Sequence, residues 1–115
     1  WGVPLLRWQD GEKPFALEPG GVVVDALFGI GLSRRLEGPY AEALNHVNGS
    51  SVYRLAVDIP SGVDGATGQV LGCSLQAHAT VTFGLAKWGH LLYPGKERCG
   101  ELWVTQPGFH PDALR

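Results

Sequence analysis

The sequence predicts an open α/β fold with a mostly parallel, doubly wound sheet, and three observations predict it. Residues 22–27, "VVVDAL", form an apolar run broken only by Asp25, the pattern of a strand covered on both faces. A second such run, 55–59 "LAVDI", follows after a segment of helical pattern. Strand, loop, short helix and strand make a βαβ unit, whose crossover is almost always right-handed.

The elements follow in order. Residues 1–21 read as irregular, with turns at "DGEKPF" and "EPGG". The first strand is expected over 22–27, and a loop over 29–38. In "GPYAEALNHVNG", Pro39 suits a first helical turn, Tyr40, Leu44 and Val47 share a face, and Asn48-Gly49 stops the helix. The second strand is expected over 55–59. A long glycine-rich excursion then leads to "ATVTF", 79–83, a third strand with β-branched residues, and "ELWV", 101–104, is a fourth. Phe83, Trp88 and Trp103 are expected to be core or its cover.

Composition limits the function classes. The chain has 115 residues, 44% hydrophobic and 17% charged, a globular balance adequate for one modest core. Its 17 glycines and eight prolines point to a site built on turns. The formal charge is −2 with no block of Lys or Arg, so no nucleic-acid surface is expected. No apolar run reaches the ~18 residues of a membrane span. Cys73 and Cys99 form no CxxC or zinc-like set, so they read as reduced thiols of a cytoplasmic protein. The chain starts at Trp1 and has no Met, which reads as a piece of a longer protein.

Two acids carry the functional reading. Asp25 and Asp58 fall towards the carboxyl ends of neighbouring strands, where open α/β sheets bind their ligands. In "DALFGIGLSRR", Gly29 and Gly31 let backbone amides approach a ligand, and Arg34 and Arg35 can meet phosphate charge. The competing reading is an ordinary turn. A dinucleotide fingerprint is absent, because G-x-G-x-x-G needs glycine where Arg34 stands. That weighs against a dehydrogenase.

In "DIPSGVDG" a proline-fixed turn presents Ser61. Pro60 precedes that serine, so the G-x-S-x-G of hydrolases is missing. Ser61 suits an oxygen ligand or a donor, against the alternative that Asp58 only caps backbone amides in an Asx-type turn. Asp64 reads as a surface turn residue. Oxygen donors of this kind suit hard cations rather than zinc or copper. His46, His78, His90 and His110 are too scattered for a recognisable metal site, and each reads as a surface or packed histidine. Lys87 is within possible reach of a phosphate, but as a single loop lysine it reads as solvated.

"VVVDALFGIGL", "LAVDIPSGVDGATGQV" and "ATVTFGLAKWG", in this order, resemble the YjeF N-terminal domain family, the NAD(P)H-hydrate epimerases. The resemblance runs from about residue 18 to 108. It implies a Rossmann-like fold: a mostly parallel sheet with helices on both faces, in three layers, present here as a partial domain. Residues 1–110 would be the C-terminal portion of that domain and 111–115 a possible linker. The implied activity is interconversion of the R and S epimers of NADHX and NADPHX, hydrated forms of the reduced nicotinamide cofactors. The resemblance further implies a parent chain fused, as in many bacteria, to an ADP-dependent dehydratase, and a complete domain that assembles as a homodimer or larger.

The resemblance also implies roles. Asp25 and Ser61 correspond to potassium ligands. Gly29, Ile30, Gly31, Leu32, Ser33, Arg34 and Arg35 correspond to the segment wrapping the substrate, and Tyr40 lies close to another substrate position. Asp58 corresponds to the acid beside the reacting ring, expected to give and take the proton there. Ile30 stands where the family often has Thr, and His78 where it often has Asp. The family's Asn-Asn-Gly-Gly-Asp loop has no counterpart, so these 115 residues are expected to be inactive alone. A non-catalytic dimerisation module, as in mRNA-decapping scaffolds, is the competing class, and one that need not keep both acids and Ser61.

Overall fold

The computed structural model describes residues 16–26 and 35–106. In chain order they form β1 (Val22–Asp25), α1 (Pro39–Asn48), β2 (Tyr53–Val57), β3 (Ala79–Phe83), α2 (Trp88–Leu91), α3 (Gly95–Cys99) and β4 (Glu101–Thr105). The strands form a sheet of order β1-β2-β3-β4, every neighbouring pair parallel. The α/β architecture and all four expected strands are therefore present. Parallel neighbours need a crossover: α1 supplies the first, the glycine-rich excursion 58–78 the second, and α2 with α3 the third.

The strand ends differ from the sequence reading for local reasons. β2 starts two residues early because the Tyr53 amide donates to the Gly21 carbonyl at 2.9 Å, extending the pairing with β1. It ends early because Asp58 has φ 71°, outside the extended region. In β1, Leu27 lies outside the described residues. The short helices α2 and α3, of four and five residues, were not expected. Neither is long enough to show a helical period.

α1 begins with Pro39 at its first turn, where a missing N–H costs no helical bond. Leu44 and Val47 are buried against Val52, Ala56, Leu75, Ala77 and Leu36. Each such Leu or Val is worth about 1.5–3 kcal/mol of burial, so packing rather than capping holds the helix. Tyr40 departs from expectation. It is 49% exposed, because it sits in the first turn, before the helix reaches the core. At the other end the Asn48 side chain donates to the Ser74 carbonyl at 2.9 Å and accepts from the Gln76 amide at 2.7 Å. That ties the 58–78 excursion to the helix. His78 is explained structurally: its ring stacks on Tyr53, and Nδ1 accepts from the Arg54 amide at 2.9 Å.

The sheet is two-sided in character. Asp25, Ala56, Thr80 and Thr82 project to one face and are buried. α1 packs there against Ala56, and Thr80 Oγ1 donates to the Cys99 carbonyl of α3 at 2.8 Å. The opposite face carries Val22, Val24, Tyr53, Phe83 and Trp103, all exposed among the described residues. That is the face on which a three-layer arrangement expects its second helical layer. Phe83 and Trp103, expected as core or cover, stand there at 41% and 57% exposure, and Trp88 at 65%. Strand parity puts the first two on the open face.

Candidate functional site

The sheet delivers both acids to its carboxyl edge. Asp25 ends β1 opposite Ala56 of β2, and Asp58 follows β2 by one residue. Between Asp58 and Val63 the chain makes a tight turn. The Asp58 amide still donates to Val81 of β3 at 2.7 Å, then φ turns positive. Asp is among the few residues that accept this conformation at modest cost. The turn brings Ser61 back under β1. There the Ser61 amide donates to Asp25 Oδ2 at 2.7 Å and its hydroxyl to Oδ1 at 2.6 Å. Asp25 is 5% exposed and Ser61 1%. The two residues expected to act together are thus in contact.

Asp58 has a different set of partners. Its Oδ1 accepts from Lys87 Nζ at 2.7 Å and from Thr82 Oγ1 at 2.9 Å, and Lys87 Nζ also donates to Thr82 Oγ1 at 3.0 Å. Burial by itself raises the Asp58 pKa. The Lys87 and Thr82 hydrogen bonds and the Lys87 charge outweigh that, and the carboxyl is held below its ordinary value. Lys87 therefore departs from the solvated reading. It is ion-paired, with about a quarter of its side chain exposed.

His90, 2% exposed, locks this pair in place. The Lys87 amide donates to His90 Nδ1 at 2.8 Å, so Nδ1 must be the unprotonated nitrogen. Nε2–H then donates to the Asp58 carbonyl at 2.6 Å. A second proton would set an N–H on Nδ1 against the Lys87 N–H. Burial first, and the Lys87 charge second, depress the His90 pKa below 6.5, against the opposing pull of Asp58. A depressed histidine pKa means the unfolded chain binds the proton more readily. Its stabilising contribution is complete above about pH 6.5 and is lost as the pH falls through the folded-state value. The urea midpoint of the full-length protein should therefore fall between pH 7.5 and 5, and His90→Gln should flatten that slope while lowering stability at pH 7.5. An unchanged slope in the variant would show that other groups carry it.

Of the wrapping segment, Gly29, Ile30, Gly31, Leu32, Ser33 and Arg34 lie outside the described residues. Arg35 is described and exposed, as is Tyr40. Thr82 and the Lys87-His90 pair were not assigned roles from sequence. The two-residue period of "TVTF" is the signal that sets Thr82 on the same face as Thr80, and the spacing of three between Lys87 and His90 is that of a helix-start bond. Asp64 is a turn residue as expected, its Oδ1 accepting from the Ala66 amide at 2.8 Å. Beside Lys87 lies a cleft of about 590 Å³, lined by Gly65, Ala66, Ala86, Lys87, Trp88 and Leu91. Small-molecule sites are commonly of this size. Cys73 and Cys99 are free, and burial raises both thiols, Cys99 to about 11. Neither is set up as a nucleophile. Among the described residues no group of three or more His, Cys, Asp or Glu is arranged for a metal, and no helix is long and apolar enough to cross a membrane.

A parallel sheet with two acids at its carboxyl edge, one held by a serine turn and one by a lysine, defines an α/β domain of the open-sheet class. Residues 5–89 match the family model described as YjeF-related protein N-terminus, and the chain belongs to that family. It is 61% identical over 93 residues to the bifunctional NAD(P)H-hydrate repair enzyme Nnr of Thermofilum pendens, covering 81% of this chain and 18% of that protein. It is 42% identical over 92 residues to the NAD(P)H-hydrate epimerase of Weissella koreensis, covering 80% and 42%. The epimerase of Nitrosopumilus maritimus is 37% identical over 103 residues, covering 90% and 46%. The chain thus spans less than half the length of these relatives.

Proposed function

We propose that the protein carrying this chain interconverts the R and S epimers of hydrated NADH and NADPH. The observation that carries the reading is Asp58, a carboxylate held ionised at the carboxyl edge of the sheet by Lys87 and Thr82. Relatives over most of this chain are named NAD(P)H-hydrate epimerase, and another is named a bifunctional NAD(P)H-hydrate repair enzyme. Epimerisation at the carbon bearing the added hydroxyl requires temporary loss of its stereocentre. One route expels the hydroxyl as water and passes through a ring cation, to which water returns on either face. A fixed carboxylate beside the ring stabilises that cation electrostatically. The lowered pKa of Asp58 suits it to holding its charge beside the ring, and makes it both a poor proton donor and a weaker base than an ordinary carboxylate.

Asp25 at the end of β1 and Ser61 on the turn packed against it offer buried carboxylate and hydroxyl oxygens, a donor chemistry that fits a hard cation such as potassium. They are the residues that would hold it, and bound there it would supply positive charge that orders the turn and a nearby substrate. We place the protein in the cytoplasm as a homodimer, in line with the reduced cysteines and the family's habit.

The test is direct. Purified full-length protein, given NADHX enriched in one epimer, should bring the mixture to its equilibrium ratio faster than buffer alone, and faster in potassium than in sodium chloride. A rate equal to the protein-free rate would reject the epimerase reading, and equal rates in the two salts would reject the potassium site.

A further inference from the structure

Resting on the epimerase reading above, we propose that Lys87 is the proton donor and acceptor of the reaction, with Asp58 as its fixed counter-charge. The expelled hydroxyl needs a proton at the moment its bond breaks. Asp58 is held ionised and has none to give. His90 has one ring proton, but it is committed to the Asp58 carbonyl at 2.6 Å, and the ring is 2% exposed. Thr82 is fully buried, and its hydroxyl proton goes to Asp58. The ammonium of Lys87 has three N–H groups. Two are directed at Asp58 Oδ1 and Thr82 Oγ1, which leaves one for a ligand in the cleft that Lys87 itself lines.

The charges balance along this route. The carbon–oxygen bond breaks with both electrons leaving on oxygen, a proton passes from Nζ to that oxygen, and water departs. Lys87 becomes a neutral amine as the ring becomes a cation, so one positive charge moves from Nζ to the ring, while Asp58 stays paired with Nζ as its fixed counter-charge. In the return step water bonds to either face of the ring and its surplus proton goes back to Nζ. Nothing is oxidised or reduced. The apolar walls of Ala66, Ala86, Trp88 and Leu91 give a flat ring a surface to rest on.

The experiment uses the full-length protein and NADHX, after the wild type has been shown to epimerise; a wild type without activity would reject the functional reading, not this assignment. Lys87→Ala should lower kcat by about 10²–10⁴-fold, the usual worth of a positioned proton donor. Added methylammonium should restore part of the rate in proportion to its concentration. Lys87→Arg keeps the charge and the Asp58 pair but holds its proton too tightly to give it up. It should remain as slow as Lys87→Ala, be folded by circular dichroism, and gain nothing from the amine. Lys87→Arg within tenfold of wild type would overturn the proposal, because charge alone would then suffice. So would a folded Lys87→Ala that stays slow in methylammonium, or one that keeps wild-type kcat.

Discussion

Gly62→Ala is expected to destabilise the domain by more than about 3 kcal/mol, enough to remove a large part of the ~5–15 kcal/mol that holds a typical domain folded. Gly62 has φ 95°, which an L side chain rarely adopts. A methyl group there would overlap the Cys73 carbonyl oxygen and lie 2.7 Å from Ser74 Cα, both backbone atoms that no rotamer change can move aside. The closeness has a purpose. The Ser61 carbonyl accepts from Leu75 at 3.0 Å and the Gly62 carbonyl from Leu71 at 2.7 Å, which clamps the turn carrying Ser61 against the 71–75 segment. Pushing that segment away would loosen Ser61 from Asp25 and uncover Leu75. Gly84→Ala is the matched control. Gly84 also has positive φ, 81°, but its added methyl meets nothing within 4 Å, so about 1 kcal/mol is expected. Urea unfolding of both variants in the full-length protein checks the pair. Equal losses would mean that conformation, not the close approach, dominates at Gly62.

The strands and α1 were legible in the sequence because each rests on a local pattern. The apolar runs around Asp25 and Asp58 mark strands, and Pro39 and Asn48-Gly49 bracket a helix. Parallel pairing followed from the crossover, and the contact between Asp25 and Ser61 was implied by family resemblance rather than by spacing. What stayed hidden is tertiary. The Asp58–Lys87 pair joins residues 29 positions apart, and nothing local distinguishes a paired lysine from a solvated one. His90 is similar: its Asp58 partner lies 32 positions away. Phe83, Trp88 and Trp103 misled in the other direction, since aromatic residues favour burial on average, whereas here they line an open face and a cleft.

Asp58→Asn in the full-length protein should cut epimerisation by about 10²–10³-fold while leaving stability nearly unchanged. The two halves of that statement have different causes. Asparagine keeps the shape of the side chain and an oxygen able to accept from Thr82 and Lys87, and it tolerates the positive φ at this position as aspartate does. The ion pair it removes is partly exposed to solvent, and pairs of that kind contribute about 0–1 kcal/mol to folding. The catalytic loss is larger because the carboxylate charge acts most strongly on the cation that forms as the ring loses its hydroxyl, whereas the resting fold loses only a partly screened ion pair. The same substitution removes the partner that holds Lys87 in place, so the Asp58→Asn/Lys87→Arg double variant should be little slower than the worse single variant, as for groups that act as one unit. Epimer-resolved chromatography gives the rates and urea unfolding the stability. An Asp58→Asn protein within threefold of the wild-type rate would remove the carboxylate from the chemistry. A double variant showing the full product of the two losses would separate Lys87 from it.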